Sequence, residues 1–171
     1  MTSESLASVY LETATRSFRG LKTLAEKAIA QLGDDELHQA PDPESNSVAV
    51  LMNHISGNLL SRWTDFLSTD GEKPDRDRDG EFVDAGSSRE QLLDRWAAGW
   101  KVLLDTLATL GEDDLLKTVT IRGEPHTVVL AIERQVVHYA YHAGQIVYLA
   151  KQIRSADWKN LSIPKQRPED A

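Results

Sequence analysis

Proline placement constrains the fold of this chain more than any other sequence feature. The six prolines lie at positions 41, 43, 74, 125, 164 and 168. Because proline lacks a backbone N–H and breaks a helix interior, helices longer than about three turns must lie between these positions. Within the proline-free stretches, apolar residues recur at intervals of three and four rather than alternating. The pattern therefore indicates amphipathic α-helices.

Four segments satisfy this pattern: about 4–32, 47–68, 88–110 and 127–153. Four amphipathic helices of similar length can bury their apolar stripes only against one another. The sequence therefore predicts an all-α fold, a four-helix bundle of up-down type.

The helix ends and connections carry their own signals. Gly33 and Gly111 are positioned to end the first and third helices, and Ser87 with Glu90 reads as a capping box for the third. Residues 69–86 form a long inter-helix loop. A functional ordered loop and a solvated disordered loop are both open, and composition slightly favours the second. The residue types at 118–121 predict a short extended segment before the last helix.

The length and the charge of the chain limit the number of domains and the classes of partner that we expect. At 171 residues, we expect one domain spanning 1–171 with a frayed tail from about 155. The formal net charge of −8, without a basic cluster, argues against a nucleic-acid binder. No stretch is long and apolar enough to suggest a membrane segment, and the chain has no cysteine for a thiolate site. We expect a cytoplasmic protein with no nucleic-acid or membrane partner.

Three helical histidines are the main candidate for chemistry. His138 and His142 are four residues apart, so they share one face of the last helix at the edge of its apolar stripe. His54 has a matching position on the second helix. If these helices are neighbours, three imidazoles can converge on one metal ion and leave coordination positions open. The alternative is three ordinary hydrogen-bonded histidines at the core edge. For His38 and His126, a surface or capping role is favoured.

Other polar residues are weaker candidates. Asn58 and Gln145 lie one turn beyond a histidine and could orient a bound water or an imidazole, although ordinary edge residues are favoured. Arg76 and Arg78 could bind an anionic substrate, but the aspartates between them favour a self-neutralised surface loop. Glu133 precedes the histidine line and could face solvent, so the sequence identifies no strong general base and no catalytic residue.

Residues 50–60 and 138–146 resemble the two signature segments of the DinB/YfiT-like superfamily, and the similarity spans nearly the whole chain. Residues 70–82 resemble a branch of that superfamily whose members are mostly of unassigned function. The resemblance implies a four-helix bundle that holds one divalent metal ion, usually nickel or zinc, with manganese or iron as further options. The implied ligands are His54, His138 and His142.

The activities implied by the resemblance are diverse. They include transferases that use bacillithiol or mycothiol, a maleylpyruvate isomerase, hydrolase-like members and stress-induced proteins. We therefore expect a metal-dependent small-thiol S-transferase or hydrolase-like enzyme in a homodimer, with a small-molecule substrate such as a low-molecular-weight thiol. A non-catalytic metal-binding or stress-linked helical interaction protein is the alternative, and a purely structural helical dimer is the third option.

Overall fold

The computed structural model describes residues 5–163, and this part of the chain is mostly helical, with four α-helices and one two-stranded sheet. In chain order the elements are α1 (Leu6–Ile29), α2 (Val48–Trp63), α3 (Arg89–Thr109), β1 (Thr118–Ile121), β2 (Glu124–Thr127) and α4 (Val128–Arg154). Three helices lie within about three residues of the predicted bounds, whereas α2 ends at Trp63 rather than near residue 68. Thr64 is already extended, and Asp65 adopts a left-handed backbone conformation with φ 50°.

The helix starts follow N-cap chemistry. The hydroxyls of Ser47, Ser88 and Thr127 each accept a hydrogen bond from the backbone N–H three residues later. The capping box of α3 is formed by Ser88 and Gln91, so the predicted pair one residue earlier, Ser87 and Glu90, is wrong. Ser88 rather than Ser87 has its hydroxyl in reach of the third helical N–H.

One hydrophobic core joins the four helices. α2 packs mainly on α3, α1 packs mainly on α4, and α2 also touches α4. Phe18, Trp63, Trp100 and Tyr139 interlock at the centre of this core, with ring centroids 5.6 to 5.9 Å apart. The Tyr139 hydroxyl donates to Asn58 Oδ1 (2.9 Å) and accepts from Trp63 Nε1 (3.2 Å), which satisfies a buried polar group inside the aromatic cluster.

The helix α2 is buried on nearly all sides, not only along its apolar stripe. Its polar residues Ser56, Asn58, Ser61 and Arg62 are each at most 5% exposed. Part of this burial arises because the 69–86 loop covers Ser61 and Arg62. Asn58 is buried instead by its contact with Tyr139 of α4.

The extended piece predicted at residues 118–121 is β1, and it pairs with β2 in an antiparallel hairpin directly before α4. The two turn residues, Arg122 (φ 56°) and Gly123 (φ 76°), both have positive φ, as a type I′ hairpin turn requires. Both backbone N–H groups donate to the carboxylate of Asp70 at 2.8 Å. The start of the 69–86 loop is thereby tied to the hairpin.

Further contacts order the loop, so the disordered alternative does not describe it. The Gly71 N–H donates to the Thr120 carbonyl (2.8 Å), and the Ser61 hydroxyl donates to the Gly71 carbonyl (3.0 Å). Lys73 donates through its ammonium to the Ser61 carbonyl (3.0 Å). The loop therefore bridges α2 and the hairpin.

The chain after α4 continues into a short 3₁₀ turn at Ser155–Asp157. Trp158 and Leu161 pack against the core. The rest of the tail that we expect to fray, residues 164–171, lies outside the described residues. None of the helices in residues 5–163 combines the length and the apolar character needed to cross a bilayer.

Candidate metal centre

The structure brings the three predicted histidines together. One ring nitrogen from each of His54, His138 and His142 lies within 4.8 Å of the other two. The Nε2 atoms of His54 and His138 are 3.3 Å apart. His54 and His142 are 4% and 6% exposed, and His138 is half-buried. The contact between α2 and α4 on which the sequence prediction depended is therefore present.

The Arg76–Glu81 ion pair of the 69–86 loop fixes the orientation of the His54 ring. Its Nδ1–H donates to Glu81 Oε2 (3.0 Å), and Arg76 grips the same carboxylate with two hydrogen bonds of 2.7 and 2.6 Å. Burial alone would raise the pKa of Glu81, but the hydrogen bonds from Arg76 and His54 outweigh it, and the net pKa is lowered. Since an ionised carboxylate can only accept, His54 carries its proton on Nδ1 and presents the Nε2 lone pair to the group.

Gly57 makes room for this carboxylate. It lies three residues after His54 on the same face of α2, and a Cβ at this position would overlap the Glu81 carboxylate. Glycine in a helix interior is normally unfavourable, and here it permits a close approach from the loop.

Gln145 has the corresponding role on α4. The His142 Nδ1–H donates to Gln145 Oε1 at 2.7 Å, which leaves its Nε2 lone pair facing inward. That Nε2 atom is buried and has no hydrogen-bond partner among the described residues. The sequence favoured an ordinary edge role for Gln145, but in the structure Gln145 orients the His142 ring.

The surroundings favour the neutral form of two of the three imidazole rings, those of His138 and His142. Burial, together with the neighbouring histidines, lowers the pKa of His138 from 6.5 to about 3. Burial, together with His54, lowers the pKa of His142 from 6.5 to about 4. Both rings are therefore neutral near pH 7, the protonation state that a metal ligand needs.

These features fit a divalent metal ion. Two nitrogens about 2.1 Å from an ion in tetrahedral geometry are about 3.4 Å apart, close to the separation of the His54 and His138 Nε2 atoms. A buried Nε2 without a partner, as in His142, is the kind of orphaned atom that an ion would satisfy. Imidazole nitrogens suit zinc, nickel, copper and iron. The three-histidine group can therefore hold a metal ion.

A cleft of about 430 Å³ opens beside the histidines. Its lining includes all three rings, five arginines, Asn58 and the aromatic residues Phe82 and Tyr141. The Phe82 ring packs on the His54 ring with centroids 4.4 Å apart. The histidine group therefore borders a space in which a small molecule can reach it.

The remaining candidate residues do not belong to the histidine group. Asn58 lines the cleft, but its Oδ1 accepts from Tyr139 rather than orienting a histidine. Glu133 accepts from the Tyr10 hydroxyl (3.0 Å) and does not line the cleft. His38 donates to Asp84 (2.8 Å), and His126 lies on β2, so neither joins the group.

The loop arginines behave differently from one another. Arg78 is half-exposed and lies 3.5 Å from Asp79, as the self-neutralised surface loop predicts. For Arg76 that prediction is wrong, because its side chain is 4% exposed and pairs with Glu72 and Glu81 instead of the neighbouring aspartates. Sequence reasoning missed Glu81 entirely. The available signal was Gly57, because a glycine in the interior of a helix can indicate close approach by another group.

Comparisons with known proteins agree with a family relationship and a shared fold. A crystal structure of a conserved protein from Enterococcus faecalis superimposes with a TM-score of 0.63 at 18% identity, covering 88% of this chain and 98% of that one. A search of the curated proteins gave no match. The family described as "Protein of unknown function (DUF1572)" matches residues 5–167. The chain therefore belongs to the DUF1572 family.

Proposed function

We propose that this protein binds one divalent metal ion through His54, His138 and His142, with nickel and zinc as the favoured metals. The observation that carries the proposal is the convergence of three ring nitrogens within 4.8 Å, with one buried Nε2 lacking any partner among the described residues. The resemblance to the DinB/YfiT-like superfamily supports the same three ligands.

The surrounding residues support this role by fixing the rings. Glu81 and Gln145 each accept from an Nδ1–H, so His54 and His142 are held with Nε2 free of a proton. Partners of this kind orient ligand imidazoles and raise their basicity. Arg76 in turn holds Glu81 in place.

We further propose that the metal serves a small-thiol S-transfer or a hydrolase-like reaction in the cleft. A bound divalent ion lowers the pKa of a coordinated thiol or water, which supplies a nucleophile near neutral pH without a protein cysteine. Three protein ligands leave positions for substrate, and the cleft gives a small molecule access to them.

A non-catalytic metal-binding protein is the second candidate, and one observation favours it. The residues that line the described cleft include no carboxylate that could act as a general base. Glu81, the nearest carboxylate, is already engaged by Arg76 and His54.

Elemental analysis tests the metal proposal directly. Untagged protein purified without chelators or a nickel column should carry about one equivalent of nickel, zinc, manganese or iron. The His138→Ala/His142→Ala variant should lose it, whereas His126→Ala, a histidine outside the group, should retain it. Absence of metal in wild type, with no uptake on adding these ions, would reject the proposal.

An activity measurement separates the two candidates. The metal-loaded protein is mixed with a low-molecular-weight thiol and a chromogenic electrophile, and the rate of S-conjugation is followed against metal occupancy. A rate that rises with occupancy and disappears in the double histidine variant supports the transferase. Full occupancy without turnover, in this assay and with ester or amide substrates, supports the binding protein.

A further inference from the structure

The cleft beside the histidines has a charge opposite to that of the whole chain. The protein carries a formal net charge of −8, yet the cleft lining, among the described residues, includes five guanidinium groups and no carboxylate. The five are Arg62, Arg76, Arg78, Arg122 and Arg134. Arginines concentrated in one cleft create a local positive field that attracts anions.

The acidic residues behind the lining do not balance these charges. Glu72 is shared by three arginines, at 3.6 Å from Arg62, 3.0 Å from Arg76 and 3.0 Å from Arg122. Arg76 also pairs with Glu81. Asp70 is a third inner carboxylate, half-buried, and it accepts from the backbone N–H of Arg122 rather than from a guanidinium group. Three inner carboxylates therefore face five guanidinium groups.

The other two lining arginines, Arg78 and Arg134, have guanidinium N–H donors that can bind a further group. Within residues 5–163, the side chain of Arg134 takes part in no ion pair and no hydrogen bond. Arg78 pairs only with Asp79, whose side chain is 97% exposed and therefore contributes little through water. Both guanidinium groups can form bidentate contacts with an oxyanion.

Arg62 adds an inner positive charge. Its side chain is 3% exposed, and its Nε and Nη1 atoms are buried without a hydrogen-bond partner in the described part of the chain. A buried guanidinium with two unpaired donors is costly unless something nearby compensates its charge. An anion in the cleft lined by Arg62 would do so.

The outer arginines lie close to the histidine group. The Arg78 guanidinium sits over the Phe82 ring, 5.4 Å from its centroid, and Phe82 packs on His54. Arg134 is one turn before His138 on α4, on the same face of the helix. An anionic group bound between these arginines therefore leaves the rest of a small molecule next to the histidines.

We infer that the cleft binds a small molecule through a carboxylate or phosphate group, with Arg78 and Arg134 as the principal contacts and Arg62 as an inner positive charge. The inference deepens the proposed function by assigning its substrate class, and it rests on that proposal for any chemistry at the histidines. Anion binding itself requires only the arginines.

Isothermal titration with three matched probes tests the inference. Benzoate and benzamide are nearly isosteric and differ in charge, and phenyl phosphate replaces the carboxylate with a phosphate. We expect wild-type protein to bind benzoate or phenyl phosphate at least tenfold more tightly than benzamide. The tighter of the two anions shows whether the cleft prefers a carboxylate or a phosphate group. Arg134→Gln and Arg78→Gln should each weaken anion binding about tenfold, whereas Arg95→Gln, an exposed arginine of α3 outside the cleft, should not.

The same titrations on metal-loaded and chelator-treated protein separate this inference from the metal proposal. Arginine-dependent anion binding in a protein that takes up no metal would support the inference and reject the metal proposal. Binding that requires metal and is equal in Arg134→Gln and Arg95→Gln would show direct coordination by the ion, and would overturn the inference. Equal affinity for benzoate, phenyl phosphate and benzamide would also overturn it.

Discussion

The Glu81 carboxylate lies in the space that a side chain at Gly57 would occupy. Glu81 comes from the 69–86 loop and Gly57 from α2, so this contact is where the loop closes against the helix that carries His54. Three groups meet at the carboxylate: the ring of His54, the guanidinium of Arg76 and the bare backbone of Gly57.

Gly57→Ala should weaken metal binding while the protein stays folded. The added methyl displaces Glu81 and breaks its hydrogen bond to His54, and loss of such a partner typically lowers metal affinity about 10- to 100-fold. Competition with a chromogenic chelator measures the change. Gly20→Ala is the matched control, because no atom lies within 4 Å of a Cβ there; it should leave metal affinity unchanged and stabilise α1 by up to about 1 kcal/mol.

Glu81→Gln should also reduce metal affinity, by a different route. The amide keeps the size of the side chain but removes the negative charge that polarises His54 and balances the buried Arg76. We expect weaker zinc binding together with a lower melting temperature in the metal-free protein. Glu44→Gln, an exposed residue, serves as the control. Unchanged values for Glu81→Gln would mean that the carboxylate has no role in the site.

The metal-free protein should lose stability in acid because of His138 and His142. Their pKa values are about 3 and about 4 in the folded state, against 6.5 ordinarily. The unfolded chain therefore takes up protons that the folded chain does not, so stability is full above pH 6.5 and falls as the pH drops toward 4. Urea unfolding in the presence of a chelator measures this dependence. The His138→Gln/His142→Gln variant should show a shallower dependence in the same window.

Asp70→Ala should loosen the hairpin turn, while the Gly71–Thr120 hydrogen bond still holds the loop to β1. The carboxylate of Asp70 accepts from the backbone N–H groups of Arg122 and Gly123, and nothing else among the described residues holds both. We expect faster hydrogen exchange at these two amides, measured by NMR, with α1 unaffected. Asp94→Ala, an exposed position on α3, is the comparison, and equal exchange rates in the two variants would contradict the proposed link.

Tyr139→Phe should separate the stability of the fold from the metal site. Removing the hydroxyl leaves Asn58 Oδ1 and Trp63 Nε1 without their partner. An unpaired buried polar group costs about 1–3 kcal/mol, so the free energy of unfolding should fall by that order. Metal stoichiometry should stay at the wild-type value, as checked by elemental analysis of the folded variant. A loss of metal would show that Tyr139 also supports the histidines.

Periodicity predicted the four helices, although not the end of α2 or the capping pair of α3, because helical periodicity depends on contacts between near neighbours in sequence. The spacing of His138 and His142 on one helix face belongs to this local class, and His54 joined them because α2 and α4 touch. The burial of Arg62 and Arg76 could not be predicted in the same way. Both depend on how the loop folds over α2, and a run of alternating aspartate and arginine is equally compatible with a solvated segment.

Glu81 shows the limit most clearly. It lies 27 residues from His54 in sequence, in a segment without periodicity, and its role depends on a glycine on another element. Only the presence of Gly57 in the interior of α2 pointed to an incoming group, and it did not indicate which group.

His54 and His138 lie 84 residues apart in sequence, on helices that each pack mainly against a different partner. An ion bound there would act as a cross-link between the α2–α3 pair and the α1–α4 pair, closing a long loop of chain. It would bind only when both pairs are docked, so part of its binding free energy would be added to the cohesion of the whole core. Metal supply would then set the free energy of unfolding of the protein, independently of any reaction in the cleft.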